Sequence, residues 1–396
     1  MKKVMILGAS AGQMPMIRKV KELGYELAVV DYNDRAVGIP YADKFYHAST
    51  IDTDAVVRAA KDYKPDGITT VQTDMPMRAV AEACRELHIP GISPEAALNA
   101  TDKEKMMEAF KRAGVSSPWF YAFAPDDTDA FILGKIQYPC VVKPADNSGS
   151  RGVSLAENGQ DALGAIAYAR SHSRNGRIIV EEYMTGPEVS VEVMMLSGEA
   201  NVLAVTDKLT TGAPHFIEMG HSEQSRLGAE ITEKIKRLAK QAMLAVGAAE
   251  GPGHVEIIVT SKGAKVVELG ARLGGDFITT DLVPLATGVD FLKAVIQVAC
   301  GERPDMTPKF HRGSAIRFIP AGEGIIRGIE GMDEAAKIPG IMKVECLRTI
   351  GDRIPPLTSS LDRAGYVIAQ ADNPEQAETL CDQAVKKIKF IVGEEL

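Results

Sequence analysis

Lys143 closes an apolar run that begins at Tyr138, and a stretch of small residues follows at once: YPCVVKPADNSGSRGVSL. A buried strand delivers the lysine, and the loop carrying Ser148, Gly149, Ser150 and Gly152 comes next. Small residues let backbone N–H groups approach phosphate oxygens, and the neighbouring lysine adds fixed positive charge. The G-K-[ST] ending of a Walker loop is absent, so the segment reads either as a phosphate loop of another kind or as an exposed hairpin.

Acids follow in an order that such a loop would need. In IIVEEYMTGPEVSVEV, a strand ends in Glu181 and Glu182, and Glu188 opens the next strand. A strand-edge backbone can read an adenine edge, and a carboxylate can bond ribose hydroxyls. Two further acids stand on neighbouring strands, Glu256 in HVEIIV and Glu268 in VVELGARLGGD. Carboxylates brought together from adjacent strands suit Mg²⁺ bridging to phosphates. Arg272, four residues after Glu268, is placed to neutralise a phosphoryl group in transfer. Each acid alone is read as a solvated strand edge; the order of all of them points to nucleotide chemistry.

A first glycine cluster, Gly8 to Gln13 (GASAGQ), follows a strand and opens a helix, with Asp31 at the end of the next strand. That is the position of a ribose-binding acid in dinucleotide folds, but the full G-x-G-x-x-G spacing is missing. A tight strand-to-helix turn is the simpler reading. A NAD-dependent oxidoreductase rests on this cluster alone.

The elements that must position these residues read as follows. Apolar runs at Val4 to Leu7, Leu27 to Val30 and Gly67 to Val71 alternate with a helix carrying Met16, Ile17, Val20 and Leu23, which implies a parallel sheet covered by helices. A Pro- and Gly-rich stretch from Ile89 to Pro94 marks the end of this unit. A charged helix from Thr101 is stopped by Gly114, and a second, amphipathic one runs from Ile231 to Val246 with Ile231, Ile235, Leu238, Ala242 and Met243 on its apolar side. Strands at Val255 to Val259 and Lys265 to Leu269 flank a turn at Ser261 to Gly263, and a last α+β unit runs from about Lys309. With 396 residues the chain exceeds one ordinary core. A net charge of −8 argues against a nucleic-acid track, while leaving room for a basic pocket. The five widely spaced cysteines form no C-x-x-C pair, so neither a disulfide framework nor structural zinc is expected, and a reducing cytoplasm is. The N-terminal MKKVMILGAS reads as a strand rather than a signal peptide, and no segment has the length to span a bilayer.

In this order the motifs resemble the ATP-grasp superfamily over essentially the whole chain. The resemblance implies a mixed α/β and α+β architecture: a Rossmann-like domain over 1–100, an ATP-grasp domain over 101–308 with its lid at roughly 115–186, and an α+β domain over 309–396. It implies ATP with Mg²⁺ or Mn²⁺ as cofactors. On the entry helix TDKEKMMEAFKRAGV it assigns Lys103 to ATP phosphate, with Lys143 as the second nucleotide lysine and Ser148 to Gly152 as the covering loop. Glu181 with the Glu182, Tyr183 and Met184 backbone corresponds to the adenine hinge, Glu188 to the ribose acid, Glu256 and Glu268 to the metal acids, and Arg272 to the arginine facing an acyl phosphate. The segment TTGAPHFIEMGHSEQSRLG from Thr210 is similar to a loop of the L-amino-acid ligase (dipeptide synthase) branch, which makes Glu218 and His221 substrate-facing; an ordinary surface-loop histidine is the alternative for His221. A carbamoyl-phosphate-synthase-like relationship is the neighbouring branch. In many members an Asn stands two residues after the second metal acid, where this chain has Gly270, so a third metal ligand is left unassigned. The expected activity is ADP-forming ligation of a carboxylate to an amine, on small molecules such as amino acids, by an enzyme that the resemblance makes a dimer. Bicarbonate activation, and nucleotide binding without turnover, are the competing readings.

Overall fold

A computed structural model describes residues 1–147, 149, 151–213 and 216–393. Ser148 and Ser150, expected in the phosphate loop, lie outside the described residues. The chain opens with a parallel sheet in the order Lys44–His47, Glu26–Asp31, Lys3–Leu7, Gly67–Thr69. Its two central strands are near-continuous apolar runs because both faces are covered. Met5, Leu7, Ala28 and Val30 pack with Val56 and Val80 of the helices Thr53–Tyr63 and Pro76–Leu87. Val4, Ile6, Leu27 and Val29 face Met16 and Val20 of the helix Met14–Glu22 and Phe291 of the helix Phe291–Ala299.

Gly8 ends the first strand at φ +99°, a conformation that favours glycine. The turn is closed by the chain's own groups. The Ala9 N–H donates to Asp31 Oδ2 at 2.7 Å, and Gln13 fills the space beside Gly8, where a Cβ would stand 2.9 Å from the Gln13 Cδ. This is the tight-turn reading of the cluster.

The helix Pro94–Thr101 leads to Asp102, whose carboxylate accepts from the Lys105 N–H and so caps the helix Lys103–Ala113. Next comes a four-stranded antiparallel sheet, ordered Phe120–Phe123, Ile178–Glu182, Cys140–Pro144, Ser154–Ala156. It has its own small core, in which Val142 and Val180 pack with Ile132 and Ile166.

The largest sheet has eight antiparallel strands: Gly263–Gly270, Gly251–Thr260, Glu188–Leu196, Glu199–Thr210, Glu218–Glu223, Gly313–Ile319, Gly365–Ala371 and Ile341–Cys346. It runs unbroken past residue 309, so the last α+β segment extends the sheet that carries Glu256 and Glu268. Two sequence expectations change here. The stretch from Thr210 is not all loop: Glu218–Glu223 is an interior strand bonded on both edges, because a strand on either side offers it a ladder. In the helix Ala229–Ala245, Ile235, Leu238, Ala242 and Met243 are buried as expected, but Ile231 in the first turn points to solvent. Among the described residues, no single helix is long and apolar enough to cross a membrane.

Candidate active site

Two cavities meet between the sheets. The first, of about 320 Å³, lies between the four-stranded and eight-stranded sheets. Lys103, Lys143, Gly149, Glu181, Glu182, Tyr183, Met184 and Glu188 all line it, with Phe216, Ile258 and Val267 adding apolar wall. Gly152 is not on that wall; a Cβ there would meet Pro144 and His172 at 2.7 Å, so its freedom from a side chain serves loop packing. The second cavity, of about 630 Å³, reaches from the carboxyl ends of the parallel strands to Ser360 and Leu361 of the C-terminal segment. Arg272, His221 and Asp276 line it, and the two cavities share a wall of Lys208, Glu218, Glu256 and Glu268.

The acids and bases on that wall are paired. Glu256 and Glu268 stand directly opposite each other in the ladder between Gly251–Thr260 and Gly263–Gly270. The Lys103 Nζ lies 3.0 Å from Glu268 Oε2 and donates to the Asn147 carbonyl at 2.9 Å. The Lys143 Nζ sits 2.6 Å from Glu181 Oε2 and 4.0 Å from Glu268 Oε2. Burial alone would raise the Glu268 pKa, but Lys103 and Lys143 hold it below the usual carboxylate range. For Glu181 the balance goes the other way: burial raises its pKa by more than Lys143 lowers it. The Glu181 side chain thus serves Lys143, while Glu182 carries its own pair, Lys265, at 2.6 Å.

Sequence reasoning missed Lys208. Its Nζ donates to Glu188 Oε1 at 2.6 Å and Glu256 Oε2 at 2.9 Å, and lies 3.7 Å from Glu218 Oε1. Burial would lower its pKa, but these three acids raise it well above the ordinary lysine value. The available signal was a lone lysine inside the apolar run VLAVTDKL. Also missed was His254, two residues before Glu256. Its Nδ1 is 2.6 Å from the buried Glu192 and its Nε2 is 3.5 Å from Glu256 Oε1. Although burial opposes its charging, Glu192 raises the imidazole to about 9.

Of the residues expected to face substrate, Glu218 accepts from Ser360 Oγ at 2.8 Å. His221 is buried, not a surface-loop residue; its Nε2 stands 3.4 Å from Asp276 Oδ2. Arg363 donates through two nitrogens to Asp276, each at 2.7 Å, and stacks 3.5 Å from the centre of the Phe318 ring. Arg272 is held by Asp74, which the sequence reading did not single out.

Two facing carboxylates, each with a cationic neighbour, beside small-residue backbone and two lysines form a hard-oxygen site suited to a divalent cation whose other ligands come from phosphates. No larger group of His, Cys, Asp and Glu that could hold a metal ion occurs among the described residues.

The comparisons agree with this geometry. Residues 136–281 match the family model of the ATP-grasp domain, and residues 317–393 match that of L-amino acid ligase C-terminal domain 2. The chain is an enzyme that combines an ATP-grasp domain with a C-terminal segment of the kind found in L-amino acid ligases. An uncharacterized protein of Sinorhizobium fredii, y4rH, is 28% identical over 353 residues, covering 87% of this chain and 73% of that protein. Alanine–anticapsin ligase of Bacillus subtilis is 26% identical over 309 residues, covering 70% of this chain and 65% of that protein. The crystal structure of L-amino acid ligase from Bacillus licheniformis superposes with a TM-score of 0.88 at 22% identity, covering 100% of this chain and 99% of that one. That of phosphoribosylglycinamide synthetase from Anaerococcus prevotii gives 0.79 at 23%, covering 99% and 100%. At these identities the two structures share the fold.

Proposed function

We propose that this enzyme joins a carboxylate to an amine, both small molecules of the amino-acid class, through an acyl phosphate. The observation that carries the reading is the shared wall: the cavity with nucleotide-type features and the larger cavity meet at Glu256, Glu268, Lys208 and Glu218. ATP occupies the smaller cavity, its adenine against Ile258 and Val267 along the Glu182–Met184 backbone, its ribose at Glu188, and its phosphates near Lys103, Lys143 and the loop with Gly149. Glu256 and Glu268 hold Mg²⁺ or Mn²⁺, which when bound neutralises phosphate charge.

A substrate carboxylate oxygen attacks the γ-phosphorus, the bond to the β-phosphate oxygen breaks, and ADP leaves. The amine nitrogen then attacks the acyl carbon, the bond from that carbon to the phosphate oxygen breaks, and the nitrogen gives up a proton to the departing phosphate. Arg272 stabilises the charge on the transferring group, and Glu218 and His221 orient substrate in the larger cavity. The chain's part is positioning and charge neutralisation, with water excluded because acyl phosphates hydrolyse. We also propose three working units, 1–100, 101–308 and 309–396; the separate core of the sheet from Phe120 to Glu182 supports its action as a lid at roughly 115–186. The free cysteines support a reducing, cytoplasmic setting. Oligomeric state, a dimer by family resemblance, is read by analytical ultracentrifugation.

The test is ADP release with amino acids supplied singly and in pairs, a bicarbonate control, and mass detection of the product. Release that needs a carboxylate and an amine, with an amide formed, is expected. Turnover on bicarbonate without any amino acid would move the enzyme to the carboxyphosphate-forming class.

A further inference from the structure

We infer that Asp74, at the carboxyl edge of the N-terminal parallel sheet, is a positioning residue that sets the pose of Arg272. The inference rests on the proposed reaction only for what Arg272 does, not for how it is held. Asp74 Oδ1 accepts from Arg272 Nε at 2.7 Å, and Oδ2 accepts from a terminal guanidinium nitrogen at 3.3 Å. The other terminal nitrogen donates to the Leu273 carbonyl at 3.2 Å. Two edges of the guanidinium are thereby fixed by protein, and the group lines the larger cavity beside Glu256 and Glu268. A planar guanidinium held this way has its orientation decided before any phosphoryl group arrives.

Two independent features make the contact a built one. Val71, three residues before Asp74, forms a parallel bridge with Leu273, the residue after Arg272, and both are fully buried. The Val71 carbonyl in turn accepts from Gln13 Nε2 at 3.0 Å, which ties this join to the Gly8 turn. The two backbones are thus clamped next to the side chains that meet. The second feature is Gly270. A Cβ at this position would stand 2.7 Å from Asp74 Oδ1 and 3.0 Å from Arg272 Cζ. Glycine leaves the volume that Asp74 occupies. Where the resemblance leads one to expect an Asn, this chain has a vacated side-chain position filled by an acid from the loop that follows the strand Gly67–Thr69. Gly270 and Asp74 are therefore one arrangement, and the arginine's pose depends on docking of the N-terminal sheet.

The experiment is a double-mutant cycle on the full chain with Asp74→Ala, Gly270→Ala and the pair together, plus the near-isosteric Asp74→Asn. Turnover is measured as ADP release on whichever carboxylate the wild type activates. Asp74→Ala and Gly270→Ala should each lower kcat by about 10–100-fold, since misplacement of a reacting group by an ångström costs on that order. KM for ATP should change little; Asp74→Ala should also melt lower, because it leaves Arg272 without its carboxylate, so kcat is compared at a temperature where every variant is folded. The pair should be no worse than either single change, because both disrupt the same contact. Asp74→Asn should fall between wild type and Asp74→Ala, and it carries the test if Asp74→Ala does not fold. A kcat within about twofold of wild type in Asp74→Asn and Asp74→Ala would overturn the inference. So would losses that multiply in the pair, or a raised KM for the amino acid at unchanged kcat, which would make Asp74 a substrate contact. Failure of the proposed function shows separately, in the wild type's substrate dependence.

Discussion

Replacing Lys208 with Met removes one positive charge from the centre of the site and keeps most of the side-chain volume, so cavity and overpacking effects are small. What remains is electrostatic. The Lys208 Nζ lies 2.6 Å from Glu188, 2.9 Å from Glu256 and 3.7 Å from Glu218, and its side chain is only 4% exposed. With the lysine gone, three carboxylates face one another, with His254 beside Glu256 and Arg272 within electrostatic reach of it. Breaking a buried pair by removing one partner costs about 3–5 kcal/mol, because the other charge is left uncompensated. At roughly 2 °C per kcal/mol for units of this size, the melting temperature in EDTA should fall by about 5–10 °C. Divalent cation acts in the opposite direction. Lys208 competes for Glu256, so its loss should strengthen Mg²⁺ binding in the absence of nucleotide, and excess Mg²⁺ should restore stability by an amount that grows with ligand over Kd. The assay is calorimetry of both proteins in EDTA and in Mg²⁺. A variant that melts within about 2 °C of wild type in EDTA and gains no more from Mg²⁺ than wild type does would refute the reasoning.

Lys103→Ala and Lys143→Ala should each weaken ATP binding by about 1.5–3 kcal/mol, the worth of a hydrogen bond to a charged group, read by nucleotide titration; unchanged affinity in both removes the phosphate assignment. Glu268→Gln should leave the fold intact and abolish turnover at ordinary Mg²⁺, and an unaltered Mg²⁺ dependence of ADP release contradicts the metal role. Arg272→Ala should reduce kcat by roughly two to three decades with little change in KM for ATP, in steady-state ADP release; a wild-type kcat removes its role in transfer. Glu223 is fully buried, accepts from Thr206 Oγ1 at 2.7 Å, and has its pKa raised to about 8 by burial, with Glu192 adding to the rise. An acid whose pKa is higher folded than unfolded contributes most below its unfolded value of about 4.3, and the contribution is lost as pH rises towards 8. Glu223→Gln should therefore melt with wild type near pH 4.5 and progressively above it up to pH 8, and a difference independent of pH is the contrary result.

Much of this site could be read in the sequence because its chemistry is local. Lys143 is placed by its own apolar strand, Lys103 by the Asp102 cap, and Glu256 and Glu268 by two strands joined by a short turn. The missing pieces depend on pairings between residues far apart in the chain. The strand Glu218–Glu223 reads as a loop until Glu199–Thr210 and Gly313–Ile319 are seen on either side of it. Lys208 gains its meaning only from acids on three other strands, and Asp74 only from an arginine 198 residues later. Gly270 was visible as a departure from the family pattern, but the reason for it lies in Asp74, on a loop of the N-terminal unit.

Taken together, the pairs show why the resting site is stable despite its density of charge. Lys103 sits with Glu268, Lys143 with Glu181, Lys208 with Glu256 and Arg272 with Asp74. Each of these lysines thus already has a carboxylate partner, so on the proposed reading Mg²⁺ and ATP would be bound by an exchange of partners. On the proposed reading, a metal ion between Glu256 and Glu268 takes over the compensation that Lys103 and Lys208 supply, and Lys103 becomes free to turn to the phosphates. Arg272 differs from the lysines. Asp74 holds it by Nε and one terminal nitrogen, and the proposed reading assigns the metal to Glu256 and Glu268, not to Asp74. On the inference above its pose is set before ligands arrive, which is what electrostatic preorganisation for a transition state requires.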